Sequence, residues 1–113
     1  MATSEFVPGD VVVVPFPYSD KHAEKRRPAL VVSNDEVQRL GFVWVVMITS
    51  ALHRPTAHDL KIEDLRQAGL AAPSLVRPTK IACLEPQRII RKAGTLSEKQ
   101  MAAVKAAIRA FIG

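Results

Sequence analysis

The sequence has one cysteine, few aromatic residues and no long apolar run. A single cysteine, Cys83, excludes an intramolecular disulfide and is typical of a protein from a reducing compartment. Because Cys83 lies in an apolar run, we predict a small buried residue rather than a reactive thiol. No run approaches the roughly 18 apolar residues that a membrane span needs, and the N-terminus does not read as a signal peptide. We therefore expect a cytoplasmic protein with no membrane contact.

Several motifs that carry chemistry in other proteins are missing too. The sequence contains no glycine-rich phosphate loop and no nucleophile elbow. His53 and His58 are five residues apart, which is not the spacing of a helical metal pair, and neither is near a cysteine or carboxylate cluster. The sequence thus predicts a protein that works without a metal or cofactor.

The length and charge bound the remaining possibilities. A chain of 113 residues fits one domain, 1–113, with a loose N-terminal tail at 1–7. Aromatic residues make up only 5%, so the core must be built from Val, Leu, Ile and Ala. A net charge of +5 favours a polyanionic partner such as nucleic acid over mere solubility only weakly.

The apolar pattern predicts a mainly β, α+β fold. The expected strands cover 11–14, 28–33, 42–48, 59–63 (half-exposed) and 74–84, with a short turn or single helical turn at 34–40 and a short helical or irregular piece at 85–91. Pro78 inside the last strand indicates an edge or a bulge that would bring Arg77 and Lys80 towards a groove. The capping box at 97–100 and the apolar spacing after it predict a C-terminal helix packed on the sheet.

Two arginines stand where the second strand begins. Pro28 keeps Arg27 out of helical conformation, so the cation is held at a rim of the sheet, next to a basic loop that runs from 16 to 26. The alternative is a solvated arginine pair before an ordinary core strand. Two hydroxyls, Thr49 and Ser50, end the third strand, where a capping or turn role is the alternative.

Antiparallel strands would bring Arg27 and Thr49 to one rim. Cations and hydroxyls without a metal cluster suit cleavage of RNA by its own 2′-hydroxyl, which needs charge stabilisation at the phosphorane, a proton acceptor and a proton donor. Arg27 would stabilise the charge and Thr49 would hold a non-bridging oxygen. Arginine stays protonated, so the base is left open between His22 and a carboxylate.

Five segments in this order resemble the MazF/PemK family of toxin endoribonucleases, over nearly the whole chain from Pro8 to Phe111. They are Gly9–Val12, Arg27–Asn34, Val45–Ser50, Gly69–Leu70 with Ser74–Arg77, and Leu96–Ser97. The resemblance implies a small SH3-like, MazF-type β-barrel with a C-terminal helix. It also implies a homodimer and sequence-selective, metal-independent cutting of single-stranded RNA that leaves 2′,3′-cyclic phosphate and 5′-hydroxyl ends.

The resemblance also assigns residues and a partner. The family's catalytic arginine and threonine fall on Arg27 and Thr49. The predicted RNA-binding residues are Ser50, Arg77, Lys80, Arg26, Lys25 and His22. The implied partner is a cognate antitoxin whose acidic segment would lie across the RNA groove, with the basic segment 21–27 as its receiver.

The sequence departs from the family at one place and leaves two rivals. Thr79 stands where some members carry an acidic residue, and Lys80 where many have Gln, so a carboxylate base is absent there. A same-fold toxin that inhibits DNA gyrase is one rival, although such toxins depend on a C-terminal tryptophan and the only tryptophan here is Trp44. A catalytically silent RNA-binding module is the other.

Overall fold

The computed structural model describes residues 5–15, 25–52 and 54–113. Residues 16–24 of the predicted basic loop, with His22, and residue His53 lie outside the described residues. Within these ranges the strands are β1 Asp10–Pro15, β2 Arg26–Val31, β3 Val43–Ser50, β4 Leu60–Lys61, β5 Ser74–Leu84 and β6 Arg91–Thr95. The helices are α1 Asp35–Arg39, α2 Leu65–Ala68 and α3 Glu98–Ile112, with a 3₁₀ turn at Pro86–Arg88.

The six strands form one antiparallel sheet in the order β4-β5-β3-β2-β1-β6. The sheet curls into a half-barrel and carries the C-terminal helix, which confirms the predicted mainly β architecture. Because β2 lies between β1 and β3, the start of β2, the end of β1 and the end of β3 meet at one end of the sheet. Among the described residues, no helix is long and apolar enough to cross a membrane.

Both faces of the sheet are covered, as the continuous apolar strands predict. One face packs under α3, where Met101 and Val104 of the helix share a buried cluster with Val11, Leu30, Val46, Ile48 and Val76 of the sheet. The other face is filled by Val12, Val14, Ala29, Val31, Val43, Val45 and Met47. The described core residues are all aliphatic, methionine or alanine, in agreement with the predicted shortage of aromatic side chains.

The C-terminal helix begins where the capping box predicts. Ser97 is the N-cap, and its side chain accepts a hydrogen bond of 3.2 Å from the backbone N–H of Gln100. The Gln100 side chain is used elsewhere: its amide donates to the carbonyl of Lys61 at 2.8 Å and accepts from the N–H of Glu63 at 3.1 Å. The helix start is therefore tied to β4.

Some predictions from the sequence were wrong. Strand β6 and helix α2 were missed, since Arg91–Thr95 shows no apolar alternation and α2 has only four residues. The half-exposed strand expected at 59–63 is reduced to Leu60–Lys61. Cys83 is exposed rather than buried, because it lines an open groove between β5 and α3.

Candidate nucleic-acid interface at the β2–β3 rim

Arg27 and Thr49 lie at the same end of the sheet on neighbouring strands. The register pairs Ala29 with Met47, and continuing it by two residues places Arg27 opposite Thr49. Side chains alternate along a strand, so both residues project to the face that Ala29 and Met47 occupy. The structure thus places this pair as the antiparallel order leads one to expect, while their catalytic role stays a prediction.

Both residues line an open pocket of about 550 Å³ at the ends of these strands, which we call the rim pocket. Its wall consists of the start of β2, the end of β3 and the loop before β5: Lys25 to Pro28, Ile48 to Ser50, and Leu70 to Ser74. Within the described ranges, lysine and arginine are the only charged residue types in this wall. Such a pocket attracts an anion, and the predicted RNA-binding residues Lys25 and Arg26 are part of it.

Local contacts fix the wall of the rim pocket. Ala51 donates its backbone N–H to the carbonyl of Pro73 at 2.9 Å, and Ser50 pairs with Ser74 across β3 and β5. The hydroxyl of Ser74 donates to the carbonyl of Ala72 at 2.8 Å. The loop that forms one side of the pocket is therefore held against the end of β3.

Ser50 has a turn role in this structure. Its Oγ accepts a hydrogen bond of 3.1 Å from the N–H of Leu52, as in the capping alternative considered from the sequence. The residue also lines the rim pocket, and a hydroxyl that accepts can donate its own proton as well. Its predicted contact with RNA is compatible with this turn and remains a prediction.

Arg77 does not line the rim pocket; its guanidinium is engaged elsewhere. Its Nη2 lies 2.8 Å from Oδ2 of Asp59, its Nε donates to the same carboxylate, and Nη2 also donates to the carbonyl of Arg54 at 3.1 Å. The hydrogen bonds that Arg77 donates to Asp59 raise the pKa of Arg77 above its already high ordinary value. Burial opposes ionisation of Asp59, but hydrogen bonds from Arg77 and Thr56 outweigh it and lower the pKa of Asp59.

Lys80 lies in a bulge of β5. Val46 pairs with Ile81 while the next residue, Met47, pairs with Arg77, so residues 78–80 have no partners in β3. This confirms the bulge expected from Pro78. Lys80 is exposed there and is not part of the rim pocket.

Sequence reasoning missed two parts of the site. The loop Leu70–Ser74 forms a wall of the pocket, but its small and apolar residues carry no chemical signal. Asp59 is the partner of Arg77, but the two are 18 residues apart and only the fold brings them together. In the part of the chain that the structure describes, no group of three or more His, Cys, Asp or Glu side chains could hold a metal ion.

The similarity to known proteins covers nearly the whole chain. The family model of PemK-like, MazF-like toxins of type II toxin-antitoxin systems matches residues 7–112. No curated protein sequence matches. A solved endoribonuclease in complex with its cognate antitoxin, from a mycobacterial species, is 18% identical with a TM-score of 0.73, and the match covers 98% of this chain and 96% of that one.

Two further solved structures have the same fold. The Mycobacterium tuberculosis toxin MazF-mt6 is 25% identical, with a TM-score of 0.71 over 91% of this chain and 96% of its own. A MazE-MazF structure from Deinococcus radiodurans is 18% identical, with a TM-score of 0.71 over 96% of this chain and 98% of that one. With the family model matched from residue 7 to residue 112, the chain belongs to the PemK/MazF-like toxins of type II toxin-antitoxin systems.

Proposed function

We propose that this toxin is a sequence-specific endoribonuclease that cuts single-stranded RNA in the cytoplasm without a metal ion and so arrests translation and growth. The observation that carries the proposal is the position of Arg27 opposite Thr49 in a pocket where, among the described residues, every charged side chain is cationic. A phosphodiester is the anion such a pocket suits, and a guanidinium can bind two of its oxygens at once.

The reaction follows from these groups. The 2′-oxygen of the RNA attacks the adjacent phosphorus, the bond from phosphorus to the 5′-oxygen breaks, and the products carry a 2′,3′-cyclic phosphate and a 5′-hydroxyl. Arg27 stabilises the charge that develops on the phosphorane oxygens, and Thr49 donates a hydrogen bond to a non-bridging oxygen. A base removes the 2′-hydroxyl proton and a donor protonates the departing 5′-oxygen; His22 and a carboxylate are the candidates for the base.

The remaining cations of the rim pocket bind the flanking RNA in this proposal. Lys25 and Arg26 are both exposed and line the pocket beside Arg27. Contacts of this kind supply affinity without base selectivity and position the strand for cleavage. Ser50, at the end of the neighbouring strand β3, adds a hydroxyl to the same pocket.

The same cationic pocket suits a cognate antitoxin. Solved relatives include an endoribonuclease with its cognate antitoxin and a MazE-MazF structure. An acidic segment of an antitoxin would compete with RNA for Lys25, Arg26 and Arg27 by charge complementarity. Neutralisation in this proposal is a competition between two polyanions for one site.

A homodimer is the assembly we propose, and an apolar groove supports it. The groove, here called the Trp44 groove, has a volume of about 360 Å³ and lies between the sheet and α3; it is lined by Val32, Trp44, Ile81, Cys83, Lys105, Ile108, Arg109 and Ile112. Trp44 and Ile81 are each 47% exposed and Ile112 is 75% exposed. A second copy would remove these apolar side chains from water.

The test is incubation of the purified protein with a long single-stranded RNA in EDTA, with the product ends read by mass spectrometry. We expect cyclic-phosphate fragments from the wild type and none from Arg27→Ala. The matched control is Arg39→Ala, which removes an exposed arginine of α1 that pairs with Asp35 outside the pocket, and it should cut like the wild type.

The other outcomes separate the rivals. Intact RNA that is nevertheless bound by the wild type would indicate the silent RNA-binding module. Intact RNA with no binding, together with inhibition of supercoiling by DNA gyrase, would indicate the gyrase-type toxin. A 3′-hydroxyl and a 5′-phosphate at the newly formed ends of the cut would contradict the 2′-hydroxyl mechanism.

A further inference from the structure

The segment 54–59 lies between the end of β3 and β4 and is held at both ends by one side chain. Arg77 donates to the carboxylate of Asp59, with Nη2 2.8 Å from Oδ2, and to the carbonyl of Arg54 at 3.1 Å. The same Oδ2 accepts from the N–H of Thr56 at 2.8 Å. Arg77 and Asp59 thus form a clamp across the segment, here called the Arg77 clamp.

Burial commits Arg77 to this clamp. The side chain of Asp59 is 1% exposed and that of Arg77 is 15% exposed. A carboxylate taken out of water needs a cation that stays in place, and moving the guanidinium onto an RNA phosphate would take that cation away. The forked geometry, with Nε and Nη2 both on the carboxylate, is also the arrangement that only arginine provides.

The clamp stands beside the rim pocket. Arg77 pairs with Met47, two residues before Thr49, and three residues before Arg77 is Ser74, which lines the pocket. The clamped segment carries Arg54, which is exposed and whose backbone is fixed by the clamp. An exposed cation on a fixed backbone is suited to bind the phosphate of a neighbouring nucleotide.

We infer that Arg77 is a positioning residue: it holds segment 54–59, with Arg54, as a binding wall for the RNA strand that continues from the rim pocket. This rests on the proposed RNA cleavage and changes the role expected for Arg77 from a contact with RNA to a contact with the protein. Arg77 then controls how tightly RNA binds, while Arg27 and Thr49 control the rate of the chemical step.

The test compares Arg77→Gln, Asp59→Asn and the double variant in steady-state cleavage of a short RNA that contains one cut site. We expect each single variant to raise KM about tenfold with kcat within about twofold of the wild type. The KM of the double variant should be no higher than the higher of the two single-variant KM values, because both changes break the same clamp. Arg77→Lys, which keeps the charge and loses the fork, should fall between Arg77→Gln and the wild type.

A second ion pair provides the matched control. Lys92 lies 3.0 Å from Asp10, whose carboxylate is 3% exposed, and this pair is at the end of β1 remote from the rim pocket. Lys92→Gln therefore also removes the cation beside a buried carboxylate, but KM should stay at the wild-type value. Thermal melting of all variants identifies any whose loss comes from unfolding, and Arg77→Lys replaces Arg77→Gln if the latter does not fold.

Two results would overturn the inference. In one, Arg77→Gln loses as much kcat as Arg27→Ala while its KM stays unchanged, and Asp59→Asn behaves like the wild type. This result would place Arg77 on the reacting phosphate. The other is a double variant whose KM rises by the product of the two single-variant increases, which would show that the two residues act independently. If the wild type binds RNA but does not cut it, the proposed function fails and the same variants are compared by Kd, with the same tenfold weakening expected; unchanged Kd values would overturn the clamp's role.

Discussion

Thr49 reaches the rim pocket because β3 extends three residues beyond its last pair with β2 before the chain turns. The hydroxyl of its neighbour Ser50 accepts a hydrogen bond from the N–H of Leu52 and so stabilises that turn. A residue next to the end of a buried strand combines a fixed backbone with access to solvent. This is why Thr49, which is half-buried, is a better candidate for holding a phosphate oxygen than an exposed loop hydroxyl.

Replacing Thr49 by valine tests this role without changing the shape of the side chain. We expect Thr49→Val to lower the cleavage rate about 10²-fold, which is the usual effect of removing one donor from a transition-state charge. Circular dichroism and KM should stay near the wild type, since valine also favours a strand. The control is Thr79→Val in the exposed bulge, and equal activity of the two variants would contradict the role of Thr49.

Asp59 makes the free energy of unfolding depend on pH in the acidic range. Burial raises its pKa, but the hydrogen bonds from Arg77 and Thr56 lower it more, so the folded-state pKa lies below the ordinary value of 3.8. The stabilisation is therefore complete above the unfolded-state pKa and is lost as the pH falls through the folded-state pKa. Urea unfolding between pH 5 and pH 2 should show a steeper loss for the wild type than for Asp59→Asn.

The neutral-pH cost of the same variant provides a check on that result. Removing one partner of a buried pair costs about 3 kcal/mol, so Asp59→Asn should be less stable than the wild type at pH 7 and the difference should shrink in acid. A difference that stays constant from pH 5 to pH 2 would show that the Asp59 carboxylate has the same pKa in both states.

At the scale of elements, the short helix α2 and strand β6 pack so closely that only glycine fits between them. A Cβ on Gly69 would lie 2.1 Å from the carbonyl oxygen of Ala93, and one on Gly94 would lie 2.3 Å from that of Gln67. Gly69 also has a positive φ of 75°, as the residue after a helix often does. These two elements, which the sequence did not reveal, are therefore joined backbone to backbone.

Gly69→Ala and Gly94→Ala should each destabilise the protein by about 3 kcal/mol through this contact, in the upper range for forcing extra volume into a packed site. Gly41→Ala is the matched control, because its φ is 94° but no atom lies within 4 Å of the added Cβ. It should cost only about 1 kcal/mol, from the backbone conformation alone. Equal losses in chemical denaturation for Gly41→Ala and Gly94→Ala would contradict the close contact.

The elements also show why the sequence predicted some of the fold and not the rest. Long apolar strands and the capped helix α3 have local signals, and the bulge at Pro78 follows from one residue's chemistry. Strand β6 forms by pairing with the edge of β1, and no local sequence pattern predicts that pairing. For the same reason the position of Arg27 and Thr49 at one rim was predictable from strand order, whereas the partner of Arg77 was not.

At the scale of the whole molecule, the proposed homodimer rests on the Trp44 groove. Ile81→Lys places a charge in the groove and should convert the proposed dimer to a monomer in sedimentation velocity. Ile90→Lys is the matched control, because Ile90 is 42% exposed against 47% for Ile81 but is not part of the groove. A wild type that is monomeric at micromolar concentration, or an Ile81→Lys variant that stays dimeric, would contradict this assembly.

The distribution of aromatic rings decides what optical probes report on this protein. The described core contains no aromatic side chain, and the only tryptophan of the chain sits half-exposed in the Trp44 groove. Tryptophan emission will therefore follow the covering and uncovering of the groove, while far-ultraviolet circular dichroism follows the sheet. A shift of emission on dilution without a change in dichroism would measure subunit dissociation separately from unfolding, with no label added.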